Sequence, residues 1–246
     1  MGGEIGFARN FRLIRNGAKT LLPTMILVVA ATEFELAAFR QARVAGDQDC
    51  LTLVAGVGPV ETALHLTRFL VQNRSEIDWV LNIGVAGAYV SFSALDGQRA
   101  GLLDLCLAET EVLGDSGLCY ETRIEPLAAP VAPRTGFVLD PVLRGRAREV
   151  FQAHQLGCLS GPFVTVNCAS ATLKRGTMLA RQYHGLCENM EGAAVARVCE
   201  EFELPLLELR CISNLVEDRD LESWRLTEAC ALCGQGATLL CRELIL

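Results

Sequence analysis

The sequence predicts a single α/β domain built on parallel strand pairing. Three observations carry that prediction. Short apolar runs alternate with amphipathic stretches of helical period along the 246 residues, the pattern of strands joined by helical crossovers. Several runs end in glycine-bearing turns, as at Gly56-Val57-Gly58-Pro59 and Gly84-Val85-Ala86-Gly87, where an open α/β sheet gathers its functional loops. Finally, the chain has neither an internal repeat nor a linker rich enough to divide it.

The elements follow in order. Met25–Ala31 (MILVVAA) reads as a buried strand, and an amphipathic helix runs from Thr32 to about Ala45. Leu51–Ala55 is a second strand, after which the Gly56–Pro59 turn opens a helix over Val60–Asn73. Trp79–Ile83 is a third strand, closed by the turn at Gly84–Gly87. Leu102–Val112 holds one or two more strands. Gly114–Gly136, with three prolines, is long for a connection inside a compact domain, and loops of that length are often functional. The rhythm resumes with a helix near Pro141–Gln155, a strand at Phe163–Val166 and a short helix at Leu173–Tyr183. Leu186–Met190 is a short strand, Glu191–Glu203 a helix, Leu206–Ile212 a strand and Leu221–Leu244 a closing helix.

Composition narrows the partners. The chain is 51% apolar and 21% charged, enough to build a core without disulfide or metal support. A net charge of −7, with no Lys/Arg run longer than two, argues against nucleic acid and against anionic membrane surfaces. No stretch approaches a membrane span in length. A small molecule is the expected partner. The eleven cysteines lack the spacing of a disulfide or zinc framework and sit mostly in apolar runs, as small hydrophobes in a reducing cytoplasm. Cys230 and Cys233, the one C-x-x-C, fall in a helical pattern and read as packing. Neither a metal nor a cofactor is expected. Residues 1–24 carry three Arg and one Lys with no long apolar stretch, unlike a secretory signal. They read as a poorly ordered extension ahead of a domain at 25–246, with Met25 a second candidate start.

Active sites of α/β sheets lie at the carboxyl ends of strands. The segments there are Thr32-Glu33-Phe34-Glu35, the Asn82–Gly87 stretch, Glu188-Asn189-Met190-Glu191-Gly192 and Arg210-Cys211-Ile212-Ser213-Asn214. Gly56-x-Gly58 has no third glycine in register and Pro59 removes a donor, so a dinucleotide fingerprint is incomplete. Neither a P-loop nor a G-x-S-x-G elbow occurs, which excludes the first and speaks against a serine hydrolase. His65, His154 and His184 lie in or beside helical stretches and read as structural. Carboxylates and amides remain. Each also has a plain structural reading: Glu35 as a first-turn charge, Glu191 as a helix-capping charge, Asn214 as a turn residue and Trp224 as core.

Together these segments resemble the nucleoside phosphorylase and nucleosidase superfamily, in particular its methylthioadenosine/adenosylhomocysteine nucleosidase branch. The resemblance runs from Met25 to near the C-terminus. Asn189-Met190-Glu191-Gly192-Ala193-Ala194 resembles the family's E-M-E-[AG]-x-A segment, and Arg210–Asn214 its R-x-[IV]-S-[DN] strand end. Asn82–Gly87 is similar to its N-x-G-x-A-G turn, and Ala31–Glu35 to its A-x-x-x-E opening. The stretch from Ile212 through Glu217-Asp218-Arg219-Asp220 to Trp224 resembles the futalosine hydrolase branch, nucleosidases of menaquinone biosynthesis.

The resemblance implies an α/β/α sandwich around a central mixed, mostly parallel sheet, and hydrolysis of a purine nucleoside's N-glycosidic bond. It gives Glu35 the role of general base on water, Glu191 that of acceptor for the ribose hydroxyls, and Met190 that of an apolar wall. Val85, Asn189 and Trp224 join the substrate site, and Arg219 faces a carboxylate at the substrate's far end. Cys168, Ala169 and Ser170 are candidates for backbone contact with the base. Asn214 stands where adenine-specific members place an Asp. Asn is no acid, but its amide can accept from a protonated N7 and donate to a 6-oxo group, which favours hypoxanthine or guanine over adenine. A homodimer or higher homo-oligomer is implied as well. Two other readings stay open: a phosphate-dependent purine nucleoside phosphorylase, against which Val85 sets an apolar wall, and an inactive nucleoside-binding relative.

Overall fold

The computed structural model describes residues 25–47, 49–90, 99–218 and 220–244; the expected extension at 1–24 and Arg219 lie outside the described residues. In chain order the elements are β1 (Ile26–Ala30), α1 (Glu33–Ala42), β2 (Cys50–Val54), α2 (Pro59–Asn73) and β3 (Trp79–Tyr89). Next come β4 (Leu105–Leu113), β5 (Leu118–Cys119), β6 (Ile124–Glu125), β7 (Gly136–Val138), α3 (Pro141–Ala153) and β8 (Cys158–Thr165). The chain finishes with α4 (Leu173–Tyr183), β9 (Cys187–Asn189), α5 (Gly192–Glu201), β10 (Leu206–Val216) and α6 (Leu226–Glu243).

The main sheet runs β10-β4-β8-β9-β3-β1-β2, with β7 added at the β4 side. Pairing is parallel for β1 with β2 and β3, β3 with β10, and β8 with β4 and β9. It is antiparallel for β10–β4, β3–β9 and β4–β7. The mixed, mostly parallel sheet expected from the resemblance is therefore present. Because β10 also pairs with β3, the strands β3, β10, β4, β8 and β9 close on themselves. Register shifts in β4 at Ala108/Thr110 and in β10 at Ile212/Asn214 provide the local bending that such closure needs.

Burial explains the layering. β1 is buried along its whole length, as a strand covered on both faces must be. Its Leu27 and Val29 pack with Leu66 and Leu70 of α2 and Val195 and Val198 of α5. Its Ile26 and Val28 point the other way, against Phe39 of α1, Phe151 of α3 and Leu240 of α6. The two faces of one strand thus seed the two cores of the sandwich. Cys230 and Cys233 lie in α6 and are buried.

Several boundaries differ from the sequence reading. β3 does not stop at Ile83 but continues through the expected glycine turn to Tyr89, and β10 continues past Ile212 to Val216. The glycines in β3 mark close approach of neighbouring groups, not chain reversal. Leu105–Leu113 is one strand. The long Gly114–Gly136 stretch contains the small hairpin β5–β6. The last helix begins at Leu226, after a single 3-10 turn at Leu221–Ser223.

Candidate active site

A cavity of about 410 Å³ opens where the segment after β1, the second halves of β3 and β10, and the end of β9 converge. Its wall includes Glu35, Val85, Asn189, Met190, Glu191, Asn214 and Trp224, all of the predicted site residues except Arg219, which lies outside the described residues.

Glu35 is fixed from two sides. Thr32 caps α1, and its N–H and hydroxyl donate to Glu35 Oε2 at 3.0 and 2.8 Å. The Val85 N–H donates to Oε1 at 3.2 Å. The carboxylate is therefore both part of a capping box and a wall of the cavity. The plain structural reading and the functional one describe the same side chain.

Glu191 immediately precedes α5 yet makes no side-chain cap hydrogen bond. Asn189 caps instead: its Oδ1 accepts from the N–H groups of Glu191 at 2.9 Å and Gly192 at 2.7 Å, and its amide nitrogen donates to Glu111. Asn189 borders the cavity, but its side chain is committed to the scaffold rather than free for substrate. That releases Glu191 for other partners. Its Oε1 accepts from the Gly58 N–H at 3.1 Å and its Oε2 from Arg210 Nη1 at 3.3 Å. Burial pushes the Glu191 carboxyl above its usual range, and Arg210 and the Gly58 N–H pull it back.

Arg210 holds the acids together. It is 1% exposed, with Nε donating to Glu208 at 2.9 Å. Burial works against its charge, but Glu208, Glu191 and Glu35 together hold it protonated, above its ordinary value. Gly84 lies under the meeting point: a Cβ there would stand 2.6 Å from both Arg210 Nη1 and Glu35 Oε1. Glycine is required because two charged side chains pass over its Cα.

Behind this row lies a second layer. Glu111 and Glu208 are fully buried and adjacent at the start of α5, where a Cβ on Gly192 would strike both carboxyls. Thr165 donates to Glu111 Oε2 at 2.7 Å. Burial and the neighbouring Glu208 push Glu111 well above the usual carboxylate range. Glu208 makes the ion pair with Arg210, and Glu111 accepts from Thr165 and Asn189.

Asn214 lies within β10. Its Oδ1 accepts from Ser213 Oγ at 3.0 Å and its Nδ2 donates to the Leu215 carbonyl at 3.3 Å. Met190 packs on the cluster around Val164 and Leu179, and Trp224, half-buried, stands at the wall beside Leu226. Ala169 and Ser170 reach the cavity, whereas the Cys168 N–H turns to Asp115 at 3.3 Å.

The sequence reading passed over Arg210 and Glu188 as individual site residues. Arg210 left a signal, a cation inside the apolar run LLELRCIS, where a buried charge demands partners. Phe34 and Val57, exposed apolar residues at the cavity, left none.

The arrangement sets two carboxylates, Glu35 and Glu191, and the Asn214 amide on the wall of one largely apolar cavity. The chain belongs to the phosphorylase superfamily, whose family profile matches residues 26–245. It is 32% identical over 197 residues to the futalosine hydrolase of Thermus thermophilus, covering 78% of this chain and 80% of that protein. Over 181 residues it is 27% identical to a 5'-methylthioadenosine/S-adenosylhomocysteine nucleosidase of Mycobacterium tuberculosis, 65% of this chain and 68% of the relative. Among solved structures, the native futalosine hydrolase of Helicobacter pylori superposes with a TM-score of 0.75 at 20% identity, covering 90% of this chain and 98% of the other. That last likeness concerns the fold.

Proposed function

We propose that the chain hydrolyses the N-glycosidic bond of a purine nucleoside, with futalosine as substrate and hypoxanthine as the released base. The relatives named futalosine hydrolase support the substrate. The observation that carries the reaction is the meeting of Glu35, Arg210 and Glu191 around Gly84 on one cavity wall.

Breaking the bond between ribose C1′ and the base builds positive charge on the sugar and negative charge on the purine. Glu191 accepts from the ribose hydroxyls, and its negative charge stabilises the developing cation. Arg210 favours the ionised form of that carboxylate against the push of burial and aims it. Glu35 orients a water molecule and takes its proton as the water oxygen bonds to C1′. The glycosidic electron pair leaves with the purine, and the proton taken up by Glu35 passes through water to N7, where Asn214 accepts the N7–H and Glu35 is left ionised for the next turnover.

Hydrolysis is favoured over phosphorolysis by the charge of the wall. Arg210 is the one cation among the described residues lining the cavity, and it is already paired with Glu191 and Glu208. Val85 adds apolar surface where an anion would need donors.

The wider setting follows from the same reading: menaquinone biosynthesis in the cytoplasm, where the thiols, unpaired in the structure, stay reduced. Among the described residues no helix is long and apolar enough to cross a membrane. A homo-oligomer is supported by Val60, Leu64 and Val71, exposed along α2.

The test is base release from futalosine, inosine and methylthioadenosine, with and without phosphate. Hypoxanthine released from futalosine without phosphate is the expected result. Phosphate-dependent cleavage of inosine would move the chain to the phosphorylases, and no release from any of them would favour a binding protein. Light scattering on the same preparation tests the oligomer, which a monomeric mass would exclude.

A further inference from the structure

One buried carboxylate on the cavity wall is not used by the hydrolysis. Glu188, in β9, is 6% exposed and borders the cavity. Its position relative to Asn214 follows from strand register. Gly87 of β3 is paired with Glu188 on one side and with Asn214 on the other. Paired residues on neighbouring strands project to the same face, and strands lie about 4.8 Å apart, so the two α-carbons are separated by roughly 10 Å. Gly87 puts no side chain between them, and a Cβ there would stand 3.1 Å from Asn214 Nδ2. The result is a slot with an amide at one edge, a carboxylate at the other and a bare floor, suited to a flat heterocycle.

Glu188 is held in place within that slot. The Ser170 N–H donates to Oε1 and the Ser170 hydroxyl to Oε2, each at 2.7 Å. A carboxylate has about four lone-pair sites; Ser170 occupies two and the Tyr89 hydroxyl stands at a third, which leaves one acceptor site on a residue that borders the cavity. Burial pushes the Glu188 carboxyl above its usual range, and the two Ser170 hydrogen bonds, with Tyr89 and Arg175, pull it part of the way back toward the ionised, acceptor-only form.

We infer that Glu188 reads the six-membered ring of the purine by accepting its N1–H, so that Glu188 and Asn214, facing each other across Gly87, select 6-oxopurines. This rests on the purine-nucleoside reading of the cavity. Hypoxanthine carries a donor at N1 and an acceptor at the 6-position. Adenine carries an acceptor at N1, which would face the carboxylate with no proton between them. Leaving a buried acceptor pair unsatisfied in this way weakens binding by about tenfold or more.

The first test needs no variant. Competition by free hypoxanthine is compared with that by 1-methylhypoxanthine and by adenine, using calorimetry or displacement of a fluorescent purine. Hypoxanthine is expected to bind at least about tenfold more tightly than either competitor; equal binding of hypoxanthine and its 1-methyl derivative overturns the inference. The second test is Glu188→Gln, whose amide can donate to an adenine N1. The ratio of kcat/KM for a 6-oxo nucleoside over its 6-amino counterpart is expected to fall by about tenfold or more. An equal loss on both substrates would mean that Glu188 only anchors Ser170, and would overturn it. If the wild type cleaves no nucleoside, the hydrolase reading fails on its own, while the binding comparison still decides the role of Glu188.

Discussion

Asn214 shows how one side chain sets a preference. Its carbonyl oxygen accepts from Ser213 Oγ and its amide nitrogen donates to the Leu215 carbonyl, so the head group has a defined orientation on the cavity wall. Asn214→Asp replaces an amide donor by a group that, when protonated, donates to N7 and accepts from a 6-amino group. The expected outcome is a rise of about tenfold in kcat/KM for methylthioadenosine relative to futalosine, measured by base release. An unchanged ratio would remove Asn214 from base selection. Glu35, Glu191 and Asn214 were legible in the sequence because each sits in a short segment of recognisable composition. Arg210 and Glu188 were visible only as charges in apolar runs. What each of them faces depends on strand register and on which glycines leave room, neither of which a one-dimensional pattern contains. Asn189 illustrates the same gap: the segment was identified, but its side chain turned out to cap α5.

At the scale of elements, the start of α1 joins stability to chemistry. Thr32 receives the Glu35 N–H at 3.3 Å, and its N–H and hydroxyl hold the Glu35 carboxylate in return. A helix cap of this kind contributes about 1 kcal/mol. Thr32→Ala removes the hydroxyl and leaves Glu35 Oε2 with the backbone donor. For a chain of this length the thermal midpoint should fall by about 2–4 °C. Because Glu35 then samples other rotamers, kcat should fall several-fold with KM little changed. A lost midpoint with unchanged kcat would show that the cap serves the helix alone. The order of strands and helices was readable from alternating runs, but the ends of β3 and β10 were not. A glycine-rich segment reads as a turn, whereas here Gly84 and Gly87 are strand residues kept bare for neighbours that pass over them. Closure of the sheet through β10–β3 was equally hidden, since it depends on contacts between distant segments.

Across the whole molecule, the site rests on buried acids gathered around a single buried cation. Glu111, Glu191 and Glu208 surround Arg210 and the start of α5, and burial raises all three carboxyls above their ordinary range. A carboxyl whose folded-state pKa is raised keeps its proton after the unfolded chain has released its own. The folded state then binds more protons than the unfolded one, so the stability this supplies is full below about pH 4.5 and is lost as pH rises through the folded value. Glu111, with the proton between itself and Glu208, should contribute most to this trend. The thermal midpoint of the wild type is expected to decline as pH rises above about 4.5, the side of the ordinary carboxylate value toward which burial displaces Glu111. Glu111→Gln cannot ionise, and its amide can still donate to Glu208, so its midpoint should decline less steeply over the same range. Parallel curves for the two proteins would mean that Glu111 is ionised in the folded state and that the pair shares no proton. In that case Arg210 would face four full negative charges, Glu35 included, and the Glu191 carboxylate would be held less firmly than the ribose-binding role requires.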